Sequence, residues 1–244
     1  AVSGVLYARL GAGGAYFAIT GVTFAAVFFT TMLPKLPAGN AGRKAKNVVQ
    51  DMREGLRFIL RNRTVLWLLA FTLGTTVLSM PFRQLMPVYA DRVFGHGAES
   101  VGFMLTVFGA GALAGTLAIA GLTKTQKRGP ILIATSFASG VGMLALAFIT
   151  SYPLAVLTMV LPGLGESGRR SLSAALIMEE ADEQYQGRVM GVYMMNFGLI
   201  PLGALPMGAV AQAFGIQAAI AGAGVLLLAV AVVSAVATPR IRQL

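Results

Sequence analysis

The chain reads as an all-α membrane protein with seven transmembrane helices, and three observations lead there. Seven apolar runs, at 13–33, 65–89, 101–122, 130–150, 153–178, 189–210 and 216–237, are each of the length an α-helix needs to cross a ~30 Å hydrocarbon layer. Lys and Arg collect in alternate gaps between those runs. Apolar residues make up 56% of the chain and charged ones 11%, less than half the ~25% charge of a soluble domain.

The charge sawtooth sets orientation. The gap 34–64 carries eight cations, Lys35, Arg43, Lys44, Lys46, Arg53, Arg57, Arg61 and Arg63, whereas 90–100 carries only Arg92. Lys124, Lys127 and Arg128 crowd the next gap, and Ser151 and Tyr152 leave the following one bare. Arg169, Arg170 and Arg188 surround the approach to the sixth run, 211–215 has no cation, and Arg240 and Arg242 close the chain. Loops rich in Lys and Arg stay in the cytoplasm, so the amino end is expected outside and the carboxyl end inside. Residues 1–10 look like the tail of an earlier segment, and an odd number of spans beginning outside requires either a translocated start or further helices upstream, of which the second is favoured. The chain is therefore expected to be a fragment.

Within 34–64, PKLPAGNAGRKAK has the composition of a flexible linker. An amphipathic helix is expected after it, with Val48, Val49, Met52, Leu56, Ile59 and Leu60 on one face and Gln50, Asp51, Arg53, Glu54, Arg57 and Arg61 on the other. Such a helix belongs on the inner membrane surface. Three units follow: 1–33 with one span, 34–64 as cytoplasmic linker and surface helix, and 65–244 as a six-helix domain.

Among the spans, the second contains Pro81 and Pro87, the fifth Pro162, the sixth Pro201 and Pro206, each removing a helix hydrogen bond. Their kinks serve either as hinges or simply to shape the bundle. Gly111 with Gly115 and Gly187 with Gly191 form GxxxG pairs, expected to mark close helix contacts. Thr72, Thr75, Thr76 and Ser79 give the second span a polar content suited to lining a cavity. Arg83 and Gln84 fall near its outer rim, where Arg83 is expected to snorkel outward.

Charges inside a span cost about 2.5–3.5 kcal/mol each at mid-bilayer on insertion scales, so they point to function. The fifth run holds Glu166, Arg169 and Arg170. At ~1.5 Å per residue from Pro153, Glu166 lies roughly 20 Å in. Glu166 and Arg170 have the acid-first, four-residue spacing of an intrahelical ion pair, which would leave Arg169 as a surplus cation. These three are candidate substrate or coupling-ion residues, beside the alternative of snorkelling arginines neutralised locally. Gln84 and Asn196 join them as uncharged candidates, Asn196 with an interhelical hydrogen bond as its default. The acidic group Glu179, Glu180, Asp182 and Glu183 precedes Gly187 and Arg188, and suggests a latch in which an acid on one helix end holds Arg188 on the next.

Other chemistries are excluded. A net charge of +10 would suggest nucleic acid in a soluble protein, but these cations are bound to loops and suit the anionic inner leaflet. There is no cysteine, and the single histidine, His96, falls in an external loop, so no metal site or cofactor is expected. Gly163, Gly165 and Gly168 spell GxGxxG, yet Pro162 breaks the strand that a dinucleotide fingerprint requires.

The stretches GLRFILRNRTVLWLL, MPVYADRVFGHGAESVGFMLTVFGAGALAG and GRVMGVYMMNFGLIPLGALPMGAVAQAFG resemble the carboxyl half of a major facilitator superfamily transporter. The likeness is to the bacterial branch of enterobactin exporters and macrolide-efflux-like proteins. It implies a six-helix carboxyl domain of inverted three-helix repeats, alternating access to a small amphiphilic molecule or siderophore, and proton antiport in a bacterial inner membrane. Glu166, the one carboxylate inside a span, then becomes the candidate proton carrier, and the amino-terminal half of the same transporter the missing partner. The family's cytoplasmic gating motif falls on GLTKTQKRGP, which keeps Gly121, Lys127, Arg128 and Gly129 but not the acid, making Lys127 and Arg128 gating candidates.

Two other classes compete. A seven-helix receptor or sensor shares the topology, although a retinal protein would need a lysine inside a span and all five lysines are in loops. A membrane enzyme would need a His, Cys or paired-carboxylate constellation that the sequence lacks.

Overall fold

The computed structural model describes residues 2–32, 48–95, 97–122 and 128–237. Every regular element among them is an α-helix: α1 (Val2–Thr31), α2 (Val48–Arg61), α3 (Arg63–Phe94), α4 (Ala98–Leu122), α5 (Arg128–Phe148), α6 (Tyr152–Thr158), α7 (Val160–Glu180), α8 (Gln186–Gly198), α9 (Ile200–Phe214) and α10 (Ile216–Ala237). The linker at 33–47, His96, Lys124 and Lys127 lie outside the described residues.

Proline explains why two expected spans arrive in pieces. Pro162 cannot donate to the carbonyl of Thr158, and the helix breaks at Met159, dividing α6 from α7. Pro201 likewise leaves the carbonyl of Phe197 without its helical donor, and a break at Leu199 divides α8 from α9. Pro81 and Pro87, in contrast, sit within the single helix α3, which runs about 48 Å at the standard rise. Pro81 frees the carbonyl of Val77, and α9 closes on that point. A Cβ built on Gly203 would lie 1.9 Å from Val77 O.

By length and composition, five stretches among the described residues can cross a membrane: Arg63–Phe94, Glu99–Gly121, Arg128–Phe148, Gln186–Phe214 and Ile216–Val236. The expected first and fifth spans fall outside this group. The apolar part of α1, Tyr16–Thr31, is shorter, and α1 is kinked at Gly11, whose φ of 67° is left-handed. The fifth is interrupted at Met159 and carries Glu166, Arg169 and Arg170.

The packing has an internal equivalence. α4 lies along α7 as α9 lies along α3, and α5 meets α7 as α10 meets α3, while α5 and α10 pack on each other. Exchanging α3, α4 and α5 for α7, α9 and α10 maps these contacts onto one another, as in two related three-helix units, although α9 also packs on α10 where α4 and α5 make no comparable contact. Small residues permit the closest approaches. A Cβ on Gly163 would come 2.1 Å from Phe108 O and one on Gly111 2.4 Å from Val160 O, so α4 and α7 touch backbone to backbone. Gly165 and Gly168 turn α7's other side to Thr135 and Ser139 of α5. The GxGxxG spelling is thus helix packing on two faces. Gly187 and Gly191 correct the expectation drawn from their spacing: both are exposed, and a side chain at either would meet nothing within 4 Å. The motif supplies a groove, but no helix among the described residues lies in it.

Two apolar clusters fill the interior. One joins Phe82, Met86, Tyr89, Met104, Phe108, Met143 and Met159; the other joins Val65, Leu68, Phe71, Leu132, Leu172, Leu176 and Val189. On α3, α5 and α7 a polar layer separates them: Thr72, Thr75 and Ser79, then Thr135, Ser136 and Ser139, then Ser167, Arg169 and Ser173. Most of these hydroxyls donate to carbonyls of their own helix, as Thr72 does to Leu68 O at 2.7 Å and Ser136 to Leu132 O at 2.9 Å. Burying them therefore costs little.

Candidate functional site

The polar layer converges on α7. Glu166 Oε2 accepts from Arg169 Nη2 at 2.6 Å and from Ser79 Oγ of α3 at 3.3 Å. The arginine that pairs with Glu166 is therefore not Arg170, which the four-residue spacing favoured. Arg169 lies on the face of α7 that turns inward and is almost fully buried, so a counter-charge there is obligatory. Arg170 lies one residue, about 100° of helix rotation, further on and is exposed. Its guanidinium sits 5.3 Å from the ring centre of Phe197 on α8, a cation–π contact in place of an ion pair.

Two small cavities flank Glu166. One, of about 20 Å³ and so little larger than a water molecule, is lined by residues that include Thr72, Thr75, Glu166, Arg169, Arg170 and Tyr193. Tyr193 Oη donates to the backbone carbonyl of Arg170 at 3.5 Å, tying α8 to α7 there. The other, of about 10 Å³, is lined by residues that include Ser79, Arg83, Phe108, Ser139 and Glu166. Arg83, expected to snorkel outward at the rim, is exposed; its guanidinium stands 5.3 Å from the Phe108 ring centre, and it lines this second cavity. Gln84 is exposed on α3 and lines neither cavity. Asn196 is buried on α8, and its Nδ2 has no hydrogen-bond partner among the described residues, contrary to the interhelical bond expected of it.

A second polar constellation lies where α2, α7 and α8 meet. Arg188 Nη1 is 2.9 Å from Glu54 Oε2, its guanidinium is 5.6 Å from the Tyr185 ring, and Tyr185 stacks on Phe58 with ring centres 4.5 Å apart. Arg128 at the start of α5 pairs with Glu179 at the end of α7. The expected latch between the acidic group and Arg188 is thus distributed differently. Glu179 reaches back to α5, and Arg188 is met by the linker helix. Gly55 allows that approach, since a Cβ there would be 2.9 Å from Arg188 Cβ. Asp182 is exposed, and its backbone carbonyl accepts from Tyr185 N and Gln186 N at the entry to α8. Gly187 lies in that first turn, also exposed.

Sequence reasoning missed three participants: Ser79 as the glutamate's second donor, Glu54 as the partner of Arg188, and the Phe58–Tyr185 stack. Helical spacing does put Glu54 and Phe58 on one side of α2, a signal that an inter-helix contact was available.

Comparison with known proteins agrees with this architecture. The chain is 26% identical over 248 residues to the multidrug efflux pump Tap of Mycolicibacterium fortuitum, covering all of this chain and 60% of that one. It is 27% identical over 135 residues to the staphyloferrin A transporter of Staphylococcus aureus, covering 55% of this chain and 34% of that one. Against the Tap pump of Mycobacterium tuberculosis it is 25% identical over 205 residues, covering 82% and 48%. The chain thus spans about half the length of the relatives it matches. No solved structure matches it. The family model of the Major Facilitator Superfamily matches residues 1–202, and with apolar, membrane-length helices packed as related three-helix units, this multi-pass membrane chain belongs to that superfamily of transporters.

Proposed function

We propose that the chain is the carboxyl-terminal part of a secondary transporter that expels a small amphiphilic molecule or siderophore in exchange for protons. The carrying observation is Glu166, a carboxylate held between Arg169 and Ser79 in the polar layer, with a cavity on either side. Protonation of Glu166 removes the charge that holds Arg169 and rearranges the site, so that the proton and the substrate can be held in alternate halves of the cycle. One residue thereby couples a proton to a change at the site. The efflux direction is supported by the likeness to Tap pumps, and a siderophore cargo by the likeness to the staphyloferrin A transporter.

In this reading residues 1–33 end the amino-terminal half, 34–64 form the cytoplasmic linker with α2, and 65–244 form the carboxyl-terminal domain. The missing half supplies the opposing wall of the substrate path. The charge sawtooth supports a bacterial inner-membrane setting with the amino end of this segment outside and the carboxyl end inside. The ion pairs Glu54–Arg188 and Arg128–Glu179 act as cytoplasmic latches that open as the two halves rock.

The test is Glu166→Gln in the full-length transporter. Glutamine keeps an acceptor oxygen for Arg169 and Ser79 but carries no proton between states. Efflux driven by a pH gradient, normalised to protein in the membrane, is expected to fall about 10²-fold or more, in the range of lost acid–base groups. Wild-type efflux per molecule would remove Glu166 from the coupling step.

A further inference from the structure

The charged groups around Glu166 do not balance. Arg83 lines one of its cavities, and Arg169 and Arg170 the other. Three guanidinium groups against one carboxylate leave a formal surplus of two positive charges among the described residues at this site. The carboxylate is moreover already engaged, by Arg169 and Ser79. A cationic ligand would find no free acid there and three like charges.

Arg169 has donors left over. Its Nη2 is used on Glu166, but its Nη1 is buried without a hydrogen-bond partner, in a side chain more than nine-tenths buried that lines the cavity. A guanidinium presents five N–H donors in one plane, a fork that matches a carboxylate. Arg83 and Arg170 differ from it in being exposed, each parked over an aromatic ring, Phe108 and Phe197, at 5.3 Å. Those rings hold the cations in place without neutralising them, and they offer apolar surface beside the positive charge. The desolvated Arg169 is stabilised by an anion that arrives with its own apolar body, and the exposed Arg170 beside it adds a second positive charge.

Resting on the transport reading above, we propose that this site, when the transport cycle opens it beyond its water-sized cavities, takes an amphiphilic carboxylate, its acid group on Arg169 Nη1 and Arg170 and its apolar body against Phe197. Selection against cations follows from the surplus charge, and the aromatic rings admit molecules of varied shape.

The experiment uses the full-length transporter in vesicles of zwitterionic phosphatidylcholine, so that no anionic lipid headgroup supplies the counter-charge. Two xanthene dyes of opposite charge are compared, carboxyfluorescein and rhodamine 6G. Carboxyfluorescein is expected to be transported and rhodamine 6G to be left behind. Arg170→Gln changes an exposed side chain, and is expected to cut carboxyfluorescein transport about tenfold or more, the scale of one lost charge-assisted hydrogen bond. Arg170→Lys restores part of it by keeping the charge without the fork. Transport of rhodamine 6G that Arg170→Gln leaves unchanged or speeds would overturn the anion preference and leave the transport reading standing. Transport of neither dye by a protein that stays monodisperse would count against both.

Discussion

The ion pair within α7 and the one joining α2 to α8 have similar lengths, 2.6 and 2.9 Å, and different surroundings. Arg169 and Glu166 are 6% and 15% exposed; Arg188 and Glu54 are 27% and 35% exposed. Water can replace either member of the outer pair when it breaks. Nothing can do so for Arg169, which sits between two apolar clusters with only Glu166 to balance it. The inner pair therefore holds its geometry until the charge on one member changes, whereas the outer pair can open and close at little cost. That is the division a transporter needs between a coupling site and a latch.

A second contrast makes the same point for packing. Gly111 with Gly115 and Gly187 with Gly191 share one spacing, yet the first pair admits α7 and the second faces nothing. Small residues permit contact but do not supply a partner.

The strongest test of the contrast is to orphan the buried acid. Arg169→Met is expected to cost about 3–5 kcal/mol, read as the thermal midpoint in detergent, because it leaves Glu166 without its counter-charge. Adding Glu166→Gln to it should recover most of that loss. A single mutant as stable as the parent would mean that Arg83 or Arg170 can take over, and the distinction between the pairs would disappear.

Next in size is Gly163→Ala, where the new methyl would press on the carbonyl of Phe108. Overpacking of this kind costs about 1–3 kcal/mol, while Gly191→Ala, in open space, should stay within about 0.5 kcal/mol. Equal effects at the two sites would show that α4 and α7 do not approach as closely as described.

The smallest effect is expected at the surface. A double-mutant cycle on Glu54→Gln and Arg188→Gln should give a coupling of about 0.2–1 kcal/mol, falling as salt is raised. A coupling as large as that between residues 166 and 169 would make α2 a fixed part of the domain and count against the proposed latch.

Much of the architecture was legible in the chain. The apolar runs located the later helices to within a few residues, though α1 begins at Val2 and not at 13, and the amphipathic pattern at 48–61 located α2, because both follow from the period of one helix against one solvent. The breaks at Met159 and Leu199 follow from Pro162 and Pro201, although the sequence alone left open whether those prolines would bend or divide their spans. The site was legible only as a neighbourhood. Spacings of three and four residues both suit an ion pair; the sequence favoured Arg170, and burial decided for Arg169. Glu54 and Arg188 are far apart in sequence, and no local rule joins them.

Hydrophobic length and the placement of cations thus settled that this is a helical membrane chain, since the cost of exposing backbone and charge to hydrocarbon is met residue by residue. Which charges meet, which glycines are filled and which donors remain free was decided by the rotation and approach of helices about one another. Those depend on contacts between distant residues, and a one-dimensional pattern does not contain them.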